Sequence, residues 1–184
     1  NQIYGLTKKQ ASPTSPIGTK SNTTPRGSYL DGLNPLNVAL GVSNASFVAQ
    51  AVDWIPESLF QIVKAAYHHK GFYFVRILQR CPEWLPKLHE AEMQEPDTVQ
   101  LLHHENALQI SPGLSKVYKN QLKHDPLDIH RAREIASSTH TVPVGILYQN
   151  REIPCYEDTR HSGVLRTPDL VKKGLEAEFD KYTV

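Results

Sequence analysis

The chain has 184 residues, enough to bury one substantial core. Its 20 Lys and Arg nearly balance 19 Asp and Glu, so no net field marks a nucleic-acid or anionic-membrane partner. No apolar run approaches the roughly 20 residues of a membrane helix and no basic-then-apolar leader opens the chain, which reads as soluble and cytosolic. Two cysteines, Cys81 and Cys155, are too few for a disulfide scaffold or for a complete metal or iron–sulfur site within the chain.

Residues 1–33 are rich in Gly, Pro, Ser and Thr and carry no sustained periodicity. A stretch of that length inside a compact domain is functional or disordered more often than it is a simple connection. Its opening, an apolar residue followed by a glycine turn, favours an active-site loop. Pro35 then starts a short helix carrying Leu36, Val38, Ala39 and Leu40, with Gly41 to end it. The run Phe47 to Val52 (FVAQAV) has the near-continuous apolar character of a strand covered on both faces. Pro56 opens a helix in which Leu59, Phe60, Val63, Ala66 and Tyr67 are expected on one buried stripe, with Gly71 as the left-handed cap. Phe72 to Leu78 (FYFVRIL) reads as a second strand. Strand, helix, strand is the unit of a parallel sheet, and the fold class is α/β.

Beyond Cys81 the pattern weakens into mixed helical and short extended pieces whose order the sequence does not define. Pro143 to Tyr148 (PVGILY) has strand character. Thr167 before Pro168 and Asp169 sets the N-terminus of a final helix carrying Leu170, Val171, Leu175 and Phe179.

Several groups of residues could carry chemistry. In NQIYGLT, the Asn1 amide and a backbone carbonyl two residues on can offer a hard cation such as Mg²⁺ two oxygens from one turn. An Asn in an ordinary polar turn has the same sequence. Gly5 lets backbone approach a ligand closely, and Leu6 can pack on a cofactor. Cys81, in RILQRCPEW, follows a strand expected to end on the ligand-binding side of a parallel sheet, although a small buried hydrophobe would stand there equally well. Arg80 beside it could activate the thiol. The pairs His68–His69 and His103–His104 point their members in different directions on any regular element and are assigned to surface or packing. No GxSxG turn is present, and Glu105, Asp125, Asp128 and Glu134 show no acid/base spacing. Cys155 has no ligand-spaced neighbour and reads as structural.

Taken together, NQIYGLTKKQASPTSP, SYLDGLNPLNVALGVSNASFVAQAV and YHHKGFYFVRILQRCPEW resemble consecutive pieces of the β subunit of 2-oxoacid:ferredoxin oxidoreductases, nearest to the 2-oxoglutarate type. The resemblance covers residues 1 to about 85, and VPVGILYQNREIPCYED in the tail is compatible with it. It implies a thiamine diphosphate-binding fold with a mostly parallel sheet. Residues 1–85 would form the C-terminal part of the cofactor domain, and residues 86–184 a C-terminal extension. Asn1 by its side chain and Ile3 by its carbonyl would hold Mg²⁺, Gly5 and Leu6 would touch thiamine diphosphate, and Cys81 would be the last of four cysteines on a [4Fe-4S] cluster. The implied partners are an α subunit of the same enzyme, ferredoxin, coenzyme A and a 2-oxoacid. Lys8, Lys9 and Lys20 are candidates for a distal substrate carboxylate. The family's GDG-type aspartate and upstream CxxC do not occur in these 184 residues, so a C-terminal fragment holding part of a site is expected. Two rival readings are a non-redox thiamine diphosphate decarboxylase or synthase, which needs no cysteine at position 81, and an inactive subunit-docking module.

Overall fold

The structure is a computed structural model that describes residues 2–105, 108, 110–160 and 167–182. In chain order the elements are β1 (Ile3–Tyr4), β2 (Gln10–Ala11), α1 (Pro35–Leu40), β3 (Phe47–Val52), α2 (Pro56–His68) and β4 (Tyr73–Leu78). There follow α3 (Glu90–Gln94), a 3-10 turn (Pro96–Thr98), β5 (Val99–His103), α4 (Pro112–Val117), β6 (Gln121–Lys123), α5 (Ile129–Ala136), β7 (Val142–Gln149), α6 (Tyr156–Arg160) and α7 (Pro168–Asp180).

Five strands form one sheet in the order β4-β3-β7-β5-β6, and β1 and β2 form a separate small hairpin. β3 and β4 are parallel, with Phe47 opposite Tyr73 and Val52 opposite Leu78. β7, β5 and β6 are mutually parallel, and β7 joins the first pair by running antiparallel to β3. The fold is therefore mixed α/β with a mostly parallel sheet. One consequence decides where chemistry can sit: the carboxyl ends of β3 and β4 lie at one edge of the sheet, and those of β5, β6 and β7 at the opposite edge. β7 also carries one extra residue, Leu147, where Val48 pairs with Tyr148 and Ala49 with Ile146. Gly145 beside this bulge has φ +142°, and a Cβ there would meet the Leu102 Cβ at 2.7 Å. Only glycine fits that approach between β7 and β5 without displacement.

Each face of the sheet carries its own core. On one, Phe47, Ala49, Ala51, Val99, Leu101 and Ile146 pack with Ile62 and Ala66 of α2. On the other, Val48, Leu102 and Leu147 pack with Leu36 and Leu40 of α1 and with Ala132 and Ile135 of α5. β3 is buried at all six positions, the pattern of a strand covered on both faces. α1 begins as read, with the Asn34 side chain accepting from Leu36 N–H and Pro35 in the first turn, and it ends at Gly41. It is tied to α5 by Asn34 Nδ2 donating to Ala136 O (2.7 Å) and Arg133 Nη2 donating to Leu40 O (2.9 Å).

The stripe expected on α2 is corrected. Ile62 and Ala66 are buried, whereas Phe60 and Tyr67 are 67% and 78% exposed. The helix has two apolar stripes about 100° apart, and packing selects 59–62–66 over 60–63–67 because the smaller Ala66 lets the helix approach the sheet. The helix also ends at His69, with Gly71 two residues further on at φ +124°. Gly71 lies against Ser46, whose hydroxyl a Cβ would meet at 2.6 Å.

Residues Asn1–Ile153 form one compact unit and Pro154–Val184 a second. In the second, Thr167 caps α7 by accepting from Leu170 N–H, as read, and no described residue of α6 or α7 is buried. No helix among the described residues is long and apolar enough to cross a membrane.

Candidate functional site

The two edges of the sheet offer different chemistry. At the first, β3 ends at Val52, and Asp53 extends the ladder by donating its N–H to Leu78 O at 3.0 Å. Its carboxylate then receives two donors from one residue of the neighbouring strand's exit: Arg80 N–H on Oδ2 at 3.2 Å and Arg80 Nε on Oδ1 at 3.1 Å. Cys81 follows directly. It is a free thiol, 7% exposed. Its carbonyl accepts from Leu85 N–H at 3.0 Å, closing a tight turn that holds Trp84.

The loop at the start of the chain reaches this turn. Ile3, 4% exposed, pairs with Ala11, and Tyr4 pairs with Gln10, so residues 5–9 form the tip of a hairpin. A Cβ at Gly5 would lie 3.3 Å from Trp84 Nε1, so backbone of the loop lies directly against the indole. Leu6, next along, is fully exposed. Gln2, Lys8 and Lys9 have φ of 55°, 58° and 71°, a left-handed conformation that costs a non-glycine residue roughly 1–2 kcal/mol. The strain is held by Ser15 Oγ donating to Gln2 O at 2.6 Å and by Asn22 Nδ2 donating to Lys8 O. Asn1 lies outside the described residues. Of the residues singled out in the sequence, the structure thus joins Gly5 to the Cys81 turn through Trp84, and it leaves Leu6 open to solvent.

Sequence reasoning missed three groups here: Asp53, Trp84 and the pair Trp54–His89. The two rings of that pair are tilted by 36° with centroids 5.5 Å apart. Among the described residues neither ring nitrogen of His89 nor Trp54 Nε1 has a hydrogen-bond partner. His89 Nδ1 stands 3.6 Å from Glu92 Oε1, and burial, opposed by Glu92, holds the His89 pKa below its ordinary value. An acid followed by Trp at a strand exit was the only available signal.

At the opposite edge the carboxyl ends of β5, β6 and β7 surround a cavity of about 820 Å³ lined by His104, Lys123, His124, Asp125, Gln149 and Arg151 among others. Lys123 and Glu105 form an ion pair at 2.5 Å across its mouth. The His104 and His124 rings meet edge to face at 6.0 Å. Burial holds both below the ordinary imidazole pKa, and His124 Nε2 lies 2.8 Å from Ile146 O. The carboxylates left unassigned in the sequence have local work: Asp125 accepts from Leu127 N–H, Asp128 caps α5, and Glu134 pairs with Arg131.

Whether this chain's residues suit a metal cluster turns on the donor set. No group of three or more His, Cys, Asp or Glu among the described residues is placed to hold a metal ion. A single buried, reduced thiol at a strand exit fits one corner of a cluster whose other ligands come from elsewhere.

The fold and this edge define a class: an α/β chain with a loop and a thiol brought together at the carboxyl ends of two parallel strands. Residues 114–162 match the family described as the C-terminal part of the pyruvate ferredoxin oxidoreductase beta subunit. The chain is 32% identical over 169 residues to the 2-oxoacid:ferredoxin oxidoreductase subunit beta of Sulfolobus sp, covering 86% of this chain and 49% of that one. It is 46% identical over 82 residues to the 2-oxoglutarate oxidoreductase subunit KorB of Mycobacterium tuberculosis, covering 45% of this chain and 22% of that one. Its fold is similar, at TM-score 0.66 and 29% identity, to a 2-oxoglutarate:ferredoxin oxidoreductase from Magnetococcus marinus solved with 2-oxoglutarate, coenzyme A and succinyl-CoA bound, covering 95% of this chain and 55% of that one. These relatives are named β subunits of 2-oxoacid and 2-oxoglutarate oxidoreductases, and the chain is similar to them while spanning about half the length of those it matches along most of its own.

Proposed function

We propose that this chain is part of the β subunit of an enzyme that oxidatively decarboxylates a 2-oxoacid, with 2-oxoglutarate preferred, to its acyl-CoA, or runs the reverse reaction. In the forward direction the 2-oxoacid loses CO₂, coenzyme A takes the acyl group, and two electrons leave singly toward ferredoxin. Residues 1–85 belong to the cofactor domain in this reading and residues 86–184 to an extension. The observation that carries it is the packing of Gly5 against Trp84, three residues past Cys81, since it joins the loop and the thiol in one unit.

Bound thiamine diphosphate supplies the electron sink for decarboxylation, and a [4Fe-4S] cluster supplies the one-electron outlet. The protein's work is positioning. Asn1 Oδ1 and the Ile3 carbonyl are assigned to Mg²⁺, hard oxygens for a hard cation. Gly5 presents backbone without a side chain in the way, and Leu6 offers an apolar surface to the thiazolium ring. Cys81 provides one thiolate. The strained φ values at Lys8 and Lys9 fit a hairpin tip shaped for a ligand and not for its own stability. An α subunit is the expected partner, completing the site from outside this chain.

The full-length protein with its partner subunit should reduce a viologen dye only when both a 2-oxoacid and coenzyme A are present, and faster with 2-oxoglutarate than with pyruvate. Pyruvate preference would overturn the substrate assignment. Absence of iron and sulfide from the purified enzyme would replace this reading with a non-redox thiamine diphosphate enzyme.

A further inference from the structure

We infer that Asp53 is a positioning residue for Cys81, clamping the exit of β4 so that the thiol is held in one place and the charge beside it is neutralised; this rests on the assignment of Cys81 to a cluster.

The geometry is specific to one peptide. Asp53 directly follows β3, and its own N–H is fixed on Leu78 O at 3.0 Å, so its carboxylate is delivered by the sheet and not by a mobile loop. The carboxylate takes the main chain of Arg80 on one oxygen at 3.2 Å and the guanidine Nε on the other at 3.1 Å. The residue held by both is the one immediately before Cys81. On the far side of the thiol the Leu85 N–H on Cys81 O, at 3.0 Å, closes the turn. Cys81 is therefore pinned from both directions, by a carboxylate before it and a main-chain bond after it. Hydrogen bonds to a charged acceptor are roughly twice as strong as neutral ones, so the Asp53 side is the stronger of the two.

The charge consequence is separate from the mechanical one. An unpaired guanidinium next to a cluster favours the reduced, more negative state and raises the reduction potential. Pairing it with Asp53 cancels that field, because the two charges stand 3.1 Å apart and act at a distance as a dipole. Outer groups that orient and tune a metal ligand in this way change metal affinity by roughly 10–100-fold when removed.

Two readouts on the full-length enzyme with its partner test the clamp. In Asp53→Asn the midpoint potential of the cluster should move positive, and in Arg80→Gln it should move negative; in the double variant it should return toward wild type. A role confined to folding would not give shifts of opposite sign. In protein isolated without cluster, iodoacetamide labelling at Cys81, read by mass against Cys155 as the internal reference, should quicken roughly tenfold in Asp53→Asn as the turn opens. Wild-type potential and wild-type labelling in Asp53→Asn would overturn the inference. If the wild-type enzyme has no cluster on Cys81, the cluster assignment fails while the labelling rate still decides for or against the clamp.

Discussion

The two edges of the sheet follow the same rule and come out as opposites. Ligands in α/β folds gather outside the carboxyl ends of parallel strands, and here that rule points in two directions because β7 runs antiparallel to β3. The Cys81 edge is built from short-range clamps, an indole under a glycine and a strained hairpin. The His104–His124 edge has the open volume, about 820 Å³. Cavity size alone would have put the chemistry at the second edge. What the difference teaches is that a site shared among several chains need not be a hollow in any one of them: under the proposed function this chain's part is a fixed thiol and a bare loop, and a partner subunit would supply the walls.

The largest expected effect separates the edges outright. Cys81→Ser in the full-length enzyme should abolish 2-oxoacid-dependent dye reduction and lower the iron content, with an unchanged far-ultraviolet dichroism spectrum. Glu105→Gln at the cavity mouth should keep the rate within about twofold, as surface changes away from chemistry generally do. Equal losses at both edges would erase the contrast.

Next in size are changes to what the edges share. Ile62→Ala should cost about 2–5 kcal/mol in denaturant unfolding, since Ile62 is fully buried beneath β3, whereas Phe60→Ala on the same helix should stay within about 0.5 kcal/mol. Comparable losses at the two positions would restore the stripe the sequence suggested. Gly145→Ala, forcing a methyl to 2.7 Å from the Leu102 Cβ at φ +142°, should cost roughly 2–4 kcal/mol and loosen β7 from β5. Amide exchange should then rise on the β5 and β7 side before it rises on β4.

How far the sequence reveals this division varies with locality. Asn34, Pro35 and Gly41 bracket α1 by chemistry that acts over one turn, and α1 is found there. β3 is buried on both faces, so its apolar run marks its full extent. α2 starts at Pro56 as expected but ends before the expected Gly71 cap, and it is turned wrongly, because two apolar stripes share it and only tertiary packing chooses between them. β5 and β6 are not legible: VQLLH and QLK are short, mixed in character and defined by pairings 20 residues apart between β5 and β6 and 43 apart between β5 and β7. The expectation that Cys81, Gly5 and Leu6 share one site rests on family resemblance, since nothing local in the sequence links positions 5 and 81. The Trp84 contact and the Asp53 clamp, which connect segments far apart in the chain, required coordinates.

The smallest expected effect concerns acid. Three histidines sit at or near the cavity edge: half-buried His104, buried His124, and buried His69, whose Nε2 is 2.9 Å from the hydroxyl of Ser46 just before β3. Burial is the leading cause that holds all three below the ordinary imidazole pKa, with Arg151 adding to it at His69. A base whose folded pKa is depressed binds fewer protons folded than unfolded, so stability is full above about pH 6.5 and falls as pH drops from there toward the folded values. The exposed carboxylates held low by Lys123 at Glu105 and by Arg131 N–H at Asp128 act in the same direction, but only below about pH 4.5, which separates the two windows. At the Cys81 edge His89 alone among the histidines with lowered pKa contributes. Denaturant midpoints measured from pH 8 to pH 5 should therefore decline less steeply when His69, His104 and His124 are replaced together by Gln than when His89 is replaced alone. A steeper dependence remaining after the triple change would place the acid-sensitive edge with Cys81 and reverse the ranking.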